Sequence, residues 1–209
     1  MSDKNDIVLV GYSGHGLVVA EAAIEAKLRL VYYSDFKKSA FNPFELNYIG
    51  FDGDADFIGF NKGYQFILGI GDNKIRESIA LKLLARGETV LNIFHPDSSL
   101  SKNILVGSGI FISRNVSVNS YATIGDYTIL NTGAVIEHEC KIGNAVHIAP
   151  GAILAGNVEV GDRSFIGANA VVKQGVKIGK DVIVGAGSVV IKDILDGKTL
   201  AGNPAKQIK

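Results

Sequence analysis

Three side chains within a stretch of ten residues have the types and spacing for chemistry: His138, the Glu139 that follows it at once, and His147. Neutral imidazole is the usual general base near neutral pH, and an adjacent carboxylate can fix its tautomer and raise its basicity. The group suits removal of a proton from an attacking nucleophile; surface histidines on a rigid stretch are the plainer reading. A metal site fits poorly, because the nine-residue gap between the histidines matches no common ligand pattern. A second constellation stands near the start, Gly11-Tyr12-Ser13-Gly14-His15-Gly16. Its spacing is G-x-x-G-x-G and not the G-x-G-x-x-G of dinucleotide sites, so NAD is not expected. A strand, a glycine turn and a helix start can still hold an anion or a nucleotide, since free N–H groups and the helix dipole converge there. A tight structural turn is the alternative. Asp35 ends the next strand, where such folds set a carboxylate against a ribose or base.

The elements that must position these groups differ in kind. From Ile104 to Asp193 the chain falls into fifteen consecutive six-residue blocks, and the third place of every block is aliphatic, Val106 through Val190. A period of six fits neither an amphipathic helix nor a plain alternating strand, and it specifies a coiled repeat. Three blocks make a triangular coil, and stacked coils lie about 4.8 Å apart like neighbouring strands. The first place is mostly small or β-branched (Ala122, Ala134, Cys140, Ala152), which makes Cys140 a buried thiol. Glycines after the aliphatic place (Gly107, Gly125, Gly143, Gly161, Gly179) suit corners that need positive φ or close backbone approach. His138 takes a corner place and His147 an outward place in a strand.

The first ninety residues read as strands Ile7–Val10, Leu30–Tyr33 and Phe66–Ile70, a helix over Leu17–Lys27, a second helix from Asn73 stopped by Gly87, and a last strand over Thr89–Phe94. Ile75, Ile79 and Leu83, with Ala80 and Leu84, form that second helix's apolar face. The alternation predicts a small parallel α/β domain, and the change of pattern at His95-Pro96 divides the chain into 1–95 and 96–209. Lys+Arg and Asp+Glu both number 21, so no basic nucleic-acid surface is expected. One cysteine excludes an internal disulfide framework. The polar start, Met1 to Asp6, lacks signal-peptide character and no apolar run reaches membrane-spanning length, which makes the cytoplasm the default compartment.

The run Asn131-Thr132-Gly133-Ala134-Val135-Ile136-Glu137-His138-Glu139-Cys140, with Gly11 to Gly16, Gly69 to Arg76 and the ending Gly202-Asn203-Pro204-Ala205-Lys206, resembles the hexapeptide-repeat acyltransferases. It is most similar to the branch containing the UDP-4-amino-sugar N-acetyltransferase of bacillosamine synthesis and the sialic acid O-acetyltransferases. The resemblance implies a Rossmann-like nucleotide-sugar-binding domain followed by a left-handed parallel β-helix. It also implies a homotrimer, acetyl-CoA as co-substrate in the cleft between helices, no metal, and a role in glycan biosynthesis. On that likeness His138 is the general base, Glu139 its polarising partner, and His147, Gly156, Ala168 and Ala186 face acetyl-CoA. The Gly156 N–H stabilises the oxyanion. Ser13, Gly14, His15, Asp35 and Gly71 hold the nucleotide sugar, UDP- or dTDP-linked, and Lys173, Lys177 and Lys180 are candidates for the CoA phosphates. The compared branch member has two successive carboxylates after the second strand, whereas this chain has Ser34 then Asp35. Three functions follow: N-acetylation of a nucleotide-linked 4-amino-4,6-dideoxy sugar, O-acetylation of a sialic acid or glycan hydroxyl, or a non-catalytic β-helix scaffold or sugar-nucleotide binder.

Overall fold

The structure, a computed structural model, describes residues 6–208; Met1 to Asn5, on which the reading of a polar start rests, lie outside the described residues. It divides into two compact units, one ending at Pro96 and the other beginning at Asp97. Among the described residues no helix is long and apolar enough to cross a membrane.

The first unit is built on a five-stranded parallel sheet. Its strands are β1 (Ile7–Val10), β2 (Leu30–Ser34), β3 (Asn47–Tyr48), β4 (Gln65–Leu68) and β5 (Thr89–Val90), in the order β3-β2-β1-β4-β5. β1 is the central strand and all four of its residues are buried, as a strand covered on both faces requires. Strand order reverses between β1 and β4, and α1 (Gly14–Glu25) and α2 (Asn73–Ala85) begin at the carboxyl ends of those two strands. A crevice at such a switch point is where open α/β sheets bind ligands. α1 starts three residues before the expected Leu17, because Ser13 takes the N-cap place and the glycines at 14 and 16 fold into the first turn. Two short strands, Thr89–Val90 and Ile93–Phe94, replace the single expected Thr89–Phe94.

The face of α2 also differs from expectation. Arg76, Ala80 and Leu83 are its buried residues, while Ile75 and Leu84 are exposed at 55% and 43%. Ala80 and Leu83 are buried as expected, but an arginine joins them in place of Ile75 and Leu84.

In the second unit, two-residue strands stack in parallel, each pairing with the strand one coil on: Leu130↔Ile148, Ile148↔Ile166, Ile166↔Val184. Face I holds Phe111–Ile112, Ile129–Leu130, His147–Ile148, Phe165–Ile166 and Ile183–Val184. Face II holds Ser117–Val118, Val135–Ile136, Ile153–Leu154, Val171–Val172 and Val189–Val190, and face III Thr123–Ile124, Lys141–Ile142, Glu159–Val160 and Lys177–Ile178. Fourteen of the fifteen aliphatic third places are buried; Val106, in the first block, is 37% exposed. Burial of each such side chain contributes roughly 1.5–3 kcal/mol relative to exposure, and only stacking makes that burial possible.

Positive φ does not fall where the glycines after the aliphatic place suggested. It falls two places later, at the sixth place of fourteen successive blocks from Gly109 to Gly187, and the set includes Tyr121, Glu139, Ala145 and Arg163. Coil closure imposes the left-handed corner on whatever residue stands there. The earlier glycines serve close approach instead: a Cβ on Gly107 would lie 2.2 Å from Asp126 Oδ1, and one on Gly143 would lie 2.6 Å from Asp162 Oδ1.

Candidate active site

Corners join the faces along three edges. Along the edge between faces III and I, side chains one coil on accept several of the corner N–H groups. Asp126 Oδ1 accepts the Ser108 N–H (2.8 Å), Asn144 Oδ1 the Asp126 N–H (2.8 Å), Asp162 Oδ1 the Asn144 N–H (3.0 Å) and Asp196 Oδ1 the Lys180 N–H (2.8 Å). On the other two edges the Thr132 N–H donates to Asn131 Oδ1 (2.8 Å), whereas the N–H groups of His138, Gly156, Ala168 and Ala186 donate to nothing among the described residues. Unpaired backbone donors in a row are what a ligand with acceptor oxygens can use.

His138 stands on the edge between faces II and III, half exposed, with its Nδ1 3.1 Å from Glu139 Oε2. In the tautomer that this contact favours, Nδ1–H donates to the carboxylate and Nε2 carries the lone pair of the neutral ring. Glu139 is held in the left-handed region at φ 61°, the corner conformation that places its carboxylate beside the ring. The ring lies over Gly156, one coil along, so closely that a Cβ there would be 2.5 Å from His138 Cε1 and Nε2. Thus Nε2 packs against Gly156, the residue whose N–H is open. Cys140 faces inward, fully buried; its Sγ donates to Ala155 O at 3.2 Å, and burial pushes the thiol's pKa up. It is not a nucleophile in waiting.

His147 is on face I, the face opposite the edge that carries His138, so one chain does not bring the two histidines together. It takes the outward place yet is only 8% exposed, against the solvent-facing ring its place suggests. Asn131 Nδ2 lies 3.1 Å from His147 Nε2, and the ring meets Phe165 edge-on with centroids 5.1 Å apart. Ala168 and Ala186 stand on the edge between faces I and II, again apart from His138.

In the first unit a cleft of about 460 Å³ opens at the switch point, lined in part by Ser13, Asp35, Asp52, Gly71, Ile75 and Ile79. Ile75 and Ile79 of α2, expected in the core, line this cleft instead. Its glycine loop is packed so tightly that a Cβ on Gly16 would lie 2.1 Å from Gly11 O, and one on Gly69 2.2 Å from the same oxygen. Ser13 caps α1 without a side-chain hydrogen bond, so the helix start is open to an anion. Asp35 Oδ2 accepts the Tyr12 N–H (2.8 Å) and Oδ1 the Phe36 N–H (2.7 Å), tying the glycine loop to the end of β2. Arg76 braces the opposite wall: Nη1 donates to the carbonyls of Ile70 (3.1 Å) and Gly71 (3.0 Å), and Nη2 to Asn73 Oδ1 (2.9 Å). Of the five expected substrate residues, Ser13, Asp35 and Gly71 line the cleft, while Gly14 and His15 lie in the first turn of α1.

Comparison with known proteins bears on both units. The family profile described as the PglD N-terminal domain matches residues 6–83, that of the bacterial transferase hexapeptide (six repeats) 139–174, and that of the hexapeptide repeat of succinyl-transferase 157–192. A crystal structure of GDP-perosamine N-acetyltransferase from Caulobacter crescentus, a variant with one histidine replaced by alanine in complex with CoA and GDP-perosamine, is 33% identical. It superposes with a TM-score of 0.93 over 98% of this chain and 97% of that one. The acetyltransferase domain of PglB from Neisseria gonorrhoeae FA1090, in complex with acetyl coenzyme A, is 31% identical with a TM-score of 0.89, covering 98% and 100%. The chain belongs to the hexapeptide-repeat sugar acetyltransferases. A GDP-perosamine N-acetyltransferase of Escherichia coli O157:H7 is 37% identical over 76 residues, so the match spans 36% of this chain and about a third (34%) of that curated relative.

The column of this acetyltransferase is accordingly a left-handed parallel β-helix, as the resemblance implied. Two residues of its N-terminal cleft escaped the sequence reading. Arg76 looks like any solvated helix arginine, and only its spacing to Ala80 and Leu83 hinted at the inner face. Asp52 arrives from the loop after β3 and supplies a second carboxylate beside Ser34, whose Oγ donates to Asp52 Oδ1 at 3.1 Å.

His15 yields a pH-dependent expectation. Burial, and next the Arg76 guanidinium, push its pKa down to about 4. The unfolded chain, with histidine near 6.5, then binds the proton first, so this unit loses stability as pH falls from about 6.5 toward 4 and regains it on the way up. Thermal melts across that window should show the slope in the native acetyltransferase and a flatter one in His15→Gln; equal slopes would contradict it.

Proposed function

We propose that the protein transfers the acetyl group of acetyl-CoA to the amino group of a nucleoside-diphosphate-linked amino sugar, with His138 as general base. The observation that carries this reading is His138 Nε2 packed against Gly156, whose N–H donates to nothing among the described residues. Relatives that align over nearly the whole chain, named for N-acetylation of GDP-perosamine and for acetyl coenzyme A binding, support the substrate classes. The resemblance pointed to UDP or dTDP as the carrier; GDP joins them on the strength of these relatives.

A sugar amine is protonated at neutral pH and must be free of its proton to attack. The ammonium form loses one proton to solvent, the neutral amine attacks the thioester carbon, and His138 Nε2 accepts the second proton from that nitrogen as the N–C bond forms. The carbonyl oxygen becomes an oxyanion within reach of the Gly156 N–H, the intermediate collapses with cleavage of the C–S bond, and CoA leaves as its thiolate. Glu139 holds the imidazole in the required tautomer and stabilises the imidazolium. The nucleotide sugar occupies the cleft of the first unit, its diphosphate at Ser13 and the start of α1.

One chain leaves this site incomplete, since His147, Ala168 and Ala186 stand away from the His138 edge. A trimer resolves the separation: the His138 edge of one copy meets the Ala168–Ala186 edge and face I of the next, and the slot between them takes the acetyl-CoA. The lining of face II supports this packing. Val135, Ile153, Val171 and Val189 lie in register on neighbouring strands and point outward, with Ile153 39% and Val171 38% exposed. Ile153→Glu should convert the trimer to monomers by light scattering and abolish turnover together with it. A native protein that runs as a monomer would contradict the shared site.

Release of thiol from acetyl-CoA, measured with GDP-, UDP- and dTDP-linked amino sugars beside free sialic acid, tests the function. Turnover confined to nucleotide amino sugars is the expected outcome. Turnover on sialic acid alone, or acetyl-CoA binding with no acceptor used, would refute it.

A further inference from the structure

Phe36, Phe51 and Asp52 are among the residues that line the cleft. Phe36 is 80% exposed, and it stacks on Phe51 with ring centroids 4.2 Å apart and planes 27° from parallel. The two rings come from different loops, one after β2 and one after β3, so their stacking has no local cause. Gly53 permits it: a Cβ there would lie 2.0 Å from the Phe51 ring. An exposed aromatic pair at the mouth of a cleft offers a face to a flat ligand group.

Asp52, next to Phe51 in the chain, is held by three hydrogen bonds. Ser34 Oγ donates to its Oδ1, its own N–H donates to Ser34 Oγ (2.9 Å), and Lys82 Nζ donates to its main-chain carbonyl. Asp52 is 5% exposed, and its Oδ2 accepts no hydrogen bond from the described residues. Lys82, the cleft's one basic lining residue among those described, is thus engaged with the Asp52 main chain.

We infer that Asp52 reads the base of the sugar nucleotide and selects guanine over uracil and thymine, with Phe36 and Phe51 stacked on the purine. The inference rests on the reading of this cleft as the nucleotide-sugar site. A carboxylate is an acceptor at both oxygens. Guanine presents N1–H and the exocyclic N2 amino group side by side, two parallel donors that match one carboxylate. Uracil and thymine present a single N3–H between two carbonyl oxygens, which a carboxylate repels. Adenine offers one donor beside a ring acceptor. The larger purine also covers more of the aromatic pair.

Calorimetric titration of the full chain with GDP, UDP, dTDP and ADP, without acetyl-CoA, tests the selection. GDP should bind on the order of tenfold tighter than UDP or dTDP, the scale of one bidentate base contact. Asp52→Asn keeps an acceptor for Ser34 but turns an amide N–H2 toward the guanine donors; it should remove most of that preference while leaving UDP affinity nearly unchanged. Phe36→Ala, a change at an exposed ring, should weaken GDP more than UDP and serves if Asp52→Asn fails to fold. UDP or dTDP binding as tightly as GDP overturns the base assignment alone. Binding of none of the four overturns the nucleotide reading of the cleft and the inference with it.

Discussion

Replacing His138 with alanine is expected to lower the turnover number by at least two orders of magnitude, the usual share of a general base, with the fold intact. The side chain is half exposed at an outer edge, so its removal takes nothing from the aliphatic core. The loss should appear in kcat, because on the proposed reading neither substrate depends on the imidazole for its main contacts. A variant with near-normal turnover would remove His138 from the chemistry. So would a loss seen only in KM.

The second large effect is expected at a residue with no side chain. Gly156 does not have positive φ, so alanine meets no backbone strain there. Its methyl group would nevertheless stand 2.5 Å from His138 Cε1 and Nε2, well inside van der Waals contact, and the ring must swing away. Displacement of a catalytic group by about 1 Å can cost on the order of a hundredfold in rate. Gly156→Ala should therefore lose roughly tenfold to a hundredfold in kcat, with unchanged melting temperature and unchanged GDP affinity. Full activity in this variant would mean that the ring does not work from its place over Gly156.

The two effects share a cause that is plain in the sequence. Gly156 follows His138 by one full coil, and a period of six makes that spacing a contact. The same arithmetic located the aliphatic core, since the side chain at the third place has nowhere to point but the axis. Other features are set by the coil and not by residue preference. Tyr121, Glu139 and Arg163 adopt left-handed corners that their types disfavour, because chain closure at the sixth place overrides propensity. The separation of His138 from His147 was hidden for a different reason: nine residues is half a coil, and half of a three-sided circuit leads from an edge to the opposite face. In the first unit the glycine loop and Asp35 were legible, whereas Arg76 and Asp52 were not. A buried arginine in a helix and an aspartate in an irregular loop acquire their places only through tertiary packing, with Asp52 meeting Ser34 across 18 residues of chain.

Identification of the acetylated atom tests the account most directly. After incubation of the native protein with acetyl-CoA and a nucleotide-linked amino sugar, mass spectrometry and NMR should find one acetyl group, carried as an amide on the sugar nitrogen, with an equal amount of free CoA. An acetyl group on a hydroxyl oxygen, or CoA bound and no acetylated nucleotide sugar formed, would contradict it.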